Sequence, residues 1–166
     1  MIPKKSMLRK PLTAKGQAIL AEEHYQLAKK DRPKLLESIQ AAAAEGDRSE
    51  NAEYIYGKKK LREMDYRIRY LNRLLDKAQV IHPEPLDRIN FGIYFTVMDS
   101  EGLKKTWVIV GEGETPFYEG GISWKSIMGR ALMGKKIGDV VYVERPKGEI
   151  EIEIVEINPT RGEGAI

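Results

Sequence analysis

Between residues 54 and 78 apolar residues return at a spacing that no strand or loop can use. Tyr54, Gly57, Leu61, Met64, Ile68, Leu71, Leu75 and Ala78 step 3-4-3-4-3-4-3, the repeat of a helix that buries one narrow seam against another helix. Such a segment, about 28 residues long, would span ~42 Å at 1.5 Å per residue. A partner precedes it. Leu20, His24, Leu27, Leu35, Ile39 and Ala42 fall at spacings of three and four or their sums, and Thr13 is the predicted N-cap. Pro33 interrupts this first helix, either as a kink or as the first turn of a new segment. The stripe resumes in phase, which favours the kink. Gly57 sits in the seam, where missing bulk lets two backbones approach closely.

The turn between the helices is Gly46-Asp47-Arg48-Ser49-Glu50-Asn51-Ala52-Glu53-Tyr54. Two helices joined this tightly pack antiparallel. Gly46 can take the positive φ that ends a helix, and Asp47 with Glu50 three residues on reads as a capping box that starts the next. The same two carboxylates also read as hard oxygen ligands for Mg²⁺. Two exposed carboxylates are an incomplete shell, because the ion wants further acidic or phosphate oxygens, so the tip would be half of a shared site. On the residues alone both readings stand.

Charge is unevenly spread. Residues 1–80 hold 18 Lys/Arg against 11 Asp/Glu, whereas residues 81–166 hold 10 against 14. A basic half suggests an anionic partner, most simply nucleic acid. Lys58, Arg62, Arg69 and Arg73 fall within roughly 60° of arc at 100° per residue, with Lys59 and Lys60 beside them. This band is either a solvated face or a phosphate-binding stripe.

After two linker prolines, Pro83 and Pro85, the period changes to two. Strands are predicted over 92–99, 104–111, 121–124, 140–144 and 149–157, with a short helix near 126–133. In the last strand Ile150, Ile152 and Ile154 alternate with Glu149, Glu151 and Glu153, so one face is buried and one is wet. The expected fold class is α+β: an antiparallel coiled-coil hairpin followed by a small antiparallel-sheet domain with one short helix. The expected division is a mobile lead-in over 1–11, the hairpin over 12–80, a linker over 81–88, the sheet domain over 89–158 and a tail over 159–166. Without cysteine there is no disulfide or thiolate chemistry. His24 and His82 alone cannot build a catalytic triad, and no phosphate-binding glycine loop or zinc-ligand spacing occurs. The aromatics Tyr94, Phe95, Trp107, Phe117, Tyr118, Trp124 and Tyr142 read as packing residues. Nothing approaches a transmembrane span and no secretory signal is present. The expectation is a cytoplasmic monomer with no membrane partner.

The tip, with Tyr56, Lys58, Lys59, Leu61, Arg62, Glu63, Asp65 and Arg67 behind it, resembles the tip signature of the bacterial Gre transcript-cleavage factors, the GreB branch more than GreA. A second stretch, Gly129-Arg130-Ala131-Leu132-Met133-Gly134-Lys135-Lys136-Ile137-Gly138-Asp139, resembles their C-terminal motif. The resemblance implies an FKBP-like fold for the sheet domain. It also implies a factor that rescues backtracked bacterial RNA polymerase, without being an enzyme itself. The sheet domain would dock on the rim of the secondary channel, and the hairpin would pass down it. Asp47 and Glu50 would help hold a catalytic Mg²⁺ jointly with the polymerase, which then cuts the nascent RNA 3′ end. Arg48, Lys58, Lys59 and Arg62 would lie along the RNA, and Trp124, Lys125, Ser126 and Ile127 would form the docking loop. There the family usually places an acidic residue followed by Ser-Pro. Other classes remain: a channel-binding regulator without cleavage, a prolyl isomerase built on the C-terminal fold, and a free-standing nuclease.

Overall fold

A computed structural model describes residues 10–46, 51–84 and 87–158. The chain divides into two units, one of residues 18–76 and one of residues 1–17 with 77–166.

The first unit is the helical hairpin. Helix α1 (Ala14–Tyr25) runs through a π-helical turn, Gln26–Asp31, into α2 (Arg32–Ala44). Pro33 lies in the first turn of α2; in a regular helix it has no N–H to give to the carbonyl one turn back, and its ring would collide with that carbonyl. The π turn just before it, in which the Arg32 N–H donates to the Leu27 carbonyl, widens the helix and carries it past the proline. Helix and stripe both continue. The eight-residue step from Leu27 to Leu35 is two ordinary turns plus about the one residue that a π turn adds.

Helix α3 (Ala52–Asp76) supplies the other half of the seam. Gly57 is buried there, and a Cβ on it would stand 2.8 Å from Ile39 Cγ1. The backbones therefore meet closely at the glycine, as its seam position suggests. Leu20 and Leu71 are fully buried, and Ile39 and Ala42 nearly so. The predicted register drifts at the end of α3. Leu74 is buried where the heptad names Leu75, which is half-buried, and Ala78 lies beyond the helix in a strand. Among the described residues two ion pairs cross the hairpin: Arg32 Nε to Asp65 at 2.7 Å, and Arg67 to Glu23 through Nε and Nη2 at 2.7 and 2.9 Å. The Arg32 guanidinium holds the Asp65 carboxyl below its ordinary range.

The second unit opens with a strand that the sequence reading places in a mobile lead-in. Strand β1 (Lys10–Leu12) pairs in parallel with β2 (Ala78–Val80), and Leu12 is fully buried. Three-residue strands carry almost no period, which is why the pattern of either segment misses them. The main sheet has β3 (Tyr94–Asp99), β4 (Lys104–Val110), β5 (Gly121–Ser123), β6 (Val140–Arg145) and β7 (Gly148–Asn158) in the order β5-β4-β3-β7-β6. All neighbours are antiparallel except β4 and β5, so the sheet is mixed at one edge. A bulge opposite Thr96 and Val97 skips Val155 and bends β7. Ile152 and Ile154 face inward with Ile89, Phe91, Phe95, Val97, Ile109 and Val143. Leu132 of α4 (Ile127–Leu132) joins that core. Phe95 and Trp107 meet edge to face at 6.5 Å, whereas Tyr142 is exposed. The fold class is α+β.

Candidate functional site

The hairpin turn is built from its flanks. α2 ends at Ala44 with Glu45 as its C-cap, and Gly46 follows with a positive φ of 155°. Asp47, Arg48, Ser49 and Glu50 lie outside the described residues. The start of α3 is clear, and it corrects the sequence reading. Asn51 is the N-cap: its Oδ1 accepts from the Tyr54 N–H at 3.1 Å, while its Nδ2 donates to the Ala42 carbonyl at 2.6 Å. One amide thus serves an orphan N–H of α3 and an orphan carbonyl of α2. An aspartate can perform only the first of these tasks, because a carboxylate has no donor. The capping duty read onto Asp47 and Glu50 belongs to Asn51.

Behind the turn, Lys59, Lys60, Arg62, Arg69 and Arg73 are exposed on α3 and Lys58 is half-buried. Asp65 and Glu23 are already engaged by Arg32 and Arg67. Among the described residues Lys58, Lys59, Lys60, Arg62, Arg69 and Arg73 take part in no ion pair within 4 Å, and no group of three or more His, Asp or Glu could hold a metal.

In the sheet unit the four docking-loop residues have unequal freedom. Ser126 is committed to α4: its hydroxyl accepts from the Gly129 N–H at 2.9 Å and donates to the Ser123 carbonyl at 2.6 Å. Trp124 packs against the core. Lys125 reaches over the Trp124 ring, 5.7 Å from its centroid, and donates to Glu112 at 3.1 Å. Lys10 donates to the same carboxylate oxygen at 3.0 Å, and the two cations hold Glu112 below its ordinary range. Ile127 is half exposed. Lys125 and Ile127 are therefore the two exposed side chains of this loop.

The sequence reading gives Glu114 no role, yet it is fully buried. Its Oε1 accepts from the Thr13 N–H at 2.8 Å and from the Thr13 hydroxyl at 2.6 Å, and Oε2 accepts from the Gly111 N–H at 2.6 Å. The Thr13 hydroxyl has one proton, given to Glu114, so it accepts from the Tyr118 hydroxyl at 2.6 Å and from the Gly16 N–H at 3.0 Å. That last bond makes Thr13 the N-cap of α1, as predicted. Burial pushes the Glu114 carboxyl up against the opposing pull of its donors, and burial likewise raises Tyr118. Gly16 and Gly111 close the slot: a Cβ on Gly16 would overlap the Glu114 carboxylate, and one on Gly111 would overlap the Pro11 carbonyl.

Residues 10–80 match the family described as Transcription elongation factor, N-terminal, and residues 83–159 match Transcription elongation factor, GreA/GreB, C-term. The chain is 42% identical over 148 residues to transcription elongation factor GreB of Pseudomonas aeruginosa, covering 88% of each chain. It is 39% identical over 149 residues to GreB of Neisseria meningitidis, covering 88% of this chain and 91% of that one. Transcription elongation factor GreA of Nitratiruptor is 38% identical over 152 residues, covering 90% and 93%. Among solved structures, GreA factor homolog 1 of Thermus thermophilus is similar at 23% identity and a TM-score of 0.43, over 90% of this chain and 99% of that one. With two family matches that together span nearly all of the described chain, and relatives near 40% identity over most of its length, the chain belongs to the GreA/GreB family of transcription elongation factors and is GreB-like.

Proposed function

We propose that this elongation factor rescues backtracked RNA polymerase by presenting its hairpin turn, through the secondary channel, to the polymerase active site, where the polymerase then cleaves its own RNA. The observation that carries this reading is the capping of α3 by Asn51. With Asn51 as the cap, the start of α3 does not depend on Asp47 or Glu50, and hard carboxylate oxygens suit a divalent cation. Asp47 and Glu50 would hold Mg²⁺ jointly with acidic groups of the polymerase. When bound, such an ion supplies the charge that activates water and stabilises the leaving oxygen in phosphodiester hydrolysis.

The chain's remaining contributions are binding and orientation. Asn51 keeps the end of α2 and the start of α3 in register behind the carboxylates. Arg48, Lys58, Lys59 and Arg62 neutralise phosphates of the extruded RNA. Lys125 and Ile127 offer the exposed part of the docking loop to the polymerase rim. The factor itself supplies too few ligands to act as a nuclease.

The test separates structure from chemistry. Asp47→Asn removes the anion and leaves the Asn51 cap untouched. The variant is expected to melt like the parent and to lose stimulated transcript cleavage on a stalled elongation complex by about 100-fold, the scale of one lost ligand to a catalytic cation. Cleavage at the parent's rate would refute the proposal.

A further inference from the structure

The inward face of the sheet continues past the point where the core closes. On β4 the inward residues are Ile109, Trp107 and then Lys105, and on β6 they are Val141, Val143 and then Arg145, at the period of two that keeps a strand on one face. Ile109 and Val143 are buried in the core, with Trp107 and Val141 packed against it, whereas Lys105 and Arg145 are exposed. Beyond the core this face opens into a cavity of about 240 Å³. Val97, Trp107, Ile122, Met128, Ile150 and Ile152 supply its apolar lining, and Lys105 and Arg145 stand as exposed cations on its rim. Leu103, 58% exposed, and Asp99 complete it.

The two cations occupy the phase that alternation reserves for apolar residues. Rim cations that served solubility alone would fit the other phase, where Lys104 and Glu144 already stand. Neither Lys105 nor Arg145 takes part in an ion pair within 4 Å among the described residues. Asp99, the acid of the lining, is engaged by the turn between β3 and β4: its Oδ1 accepts from the Glu101 and Leu103 N–H groups, both at 2.9 Å. Two cations against one carboxylate leave the lining with one positive charge in excess. β3 and β7 lie between β4 and β6, so on a flat sheet the cations would start about 14 Å apart. Two long side chains reaching inward close that span onto a single group between them.

We infer that this cavity is a binding site for a small apolar carboxylate. Its hydrocarbon body would lie on Trp107, Ile122, Met128 and Ile150, and its anion would be held at the rim by Lys105 and Arg145. Ligand sites are apolar concavities in which a few placed polar groups fix orientation, and an apolar cavity of ~150 Å³ suffices to take benzene. Hydrocarbon without charge would leave the cations unused, and a bare anion would leave the apolar lining wet. The occupant is a free small molecule rather than an added strand of another protein. The strands under the cavity, β4, β3 and β7, are paired on both sides and offer no edge for main-chain bonds. The inference does not depend on the proposed function.

The test titrates the full-length factor with butyrate, hexanoate, octanoate and decanoate, and with 1-octanol. Calorimetry gives the affinity, and tryptophan fluorescence follows Trp107 in the lining. Affinity is expected to rise about fourfold per added methylene and to level off once the cavity is full. Octanol, with the same body and no charge, is expected to bind about tenfold more weakly than octanoate. Lys105→Gln with Arg145→Gln keeps much of each stem and removes both charges; it should weaken octanoate by about tenfold and leave octanol unchanged. Both positions are exposed, and circular dichroism checks that the double variant keeps the parent's fold; Lys105→Met with Arg145→Met, which also removes both charges, is the second pair. No saturable binding of any acid up to the millimolar range would overturn the inference. So would affinity that climbs without levelling through decanoate, octanol binding as tightly as octanoate, or folded charge-free variants that bind octanoate like the parent.

Discussion

Gly16 poses a question of sign. It is the third residue of α1, where replacing glycine by alanine in a free helix gains up to about 1 kcal/mol. The structure demands the opposite result. An alanine methyl would overlap the Glu114 carboxylate, which cannot retreat, because Gly111 closes the slot on its other side and Thr13 holds both functions of Oε1. Displacing the carboxylate sacrifices its bonds from the Thr13 N–H and hydroxyl, and a charge-assisted bond is worth about 1.5–3 kcal/mol. Losing two of them, less the propensity gain, leaves a net destabilisation of about 3 kcal/mol, or roughly 6–12 °C for a chain of this size. The measurement is selective. Both tryptophans, Trp107 and Trp124, lie in the sheet unit, so urea or thermal unfolding followed by tryptophan fluorescence reports this unit. A double-mutant cycle with Glu114→Ala isolates the cause: without the carboxylate, Gly16→Ala should cost little, and the two changes should couple strongly. A Gly16→Ala protein as stable as the parent, or more so, would refute the clamp.

Two further outcomes follow from the same geometry. Burial raises the Glu114 carboxyl, so the native state binds its proton more tightly than the unfolded chain does, and stability must fall as pH rises from the ordinary glutamate range through the raised value; tryptophan-detected midpoints should show this slope, and Glu114→Gln should abolish it. Asn51→Ala should lower helical-hairpin stability by about 2 kcal/mol, one cap plus one hydrogen bond, whereas Asn51→Asp, which caps equally well but has no donor for the Ala42 carbonyl, should lose about half of that in circular-dichroism melts. Equal stability of both variants with the parent would mean that the Asn51 bonds contribute nothing.

What the sequence makes legible and what it hides divide along range. The seam of α3 is visible because each member is three or four residues from the next, and a helix turns such spacing into one face. The strands of the sheet are visible for the same reason at period two. The capping of α3 is a local matter too, yet it is misread, because Asp47 and Asn51 are both capping residues four apart and the Glu50 at the box position favours the wrong one. What decides for Asn51 is a second bond, to Ala42 nine residues back, which only the closed hairpin provides. Glu114 is hidden for a stronger form of that reason. Its partner Thr13 is 101 residues away, and neither residue carries a local mark of the other. β1 and β2 are likewise three-residue strands whose pairing spans nearly the whole hairpin.

Tyr66 falls between these cases. Its neighbours Arg62 and Arg69 announce a basic stripe in the sequence, but the sequence reading gives Tyr66 itself no part in it. In the structure the seam is complete without it and the ring is found in solvent. Exposure is a property of the closed hairpin, and the spacing of Tyr66 alone does not announce it.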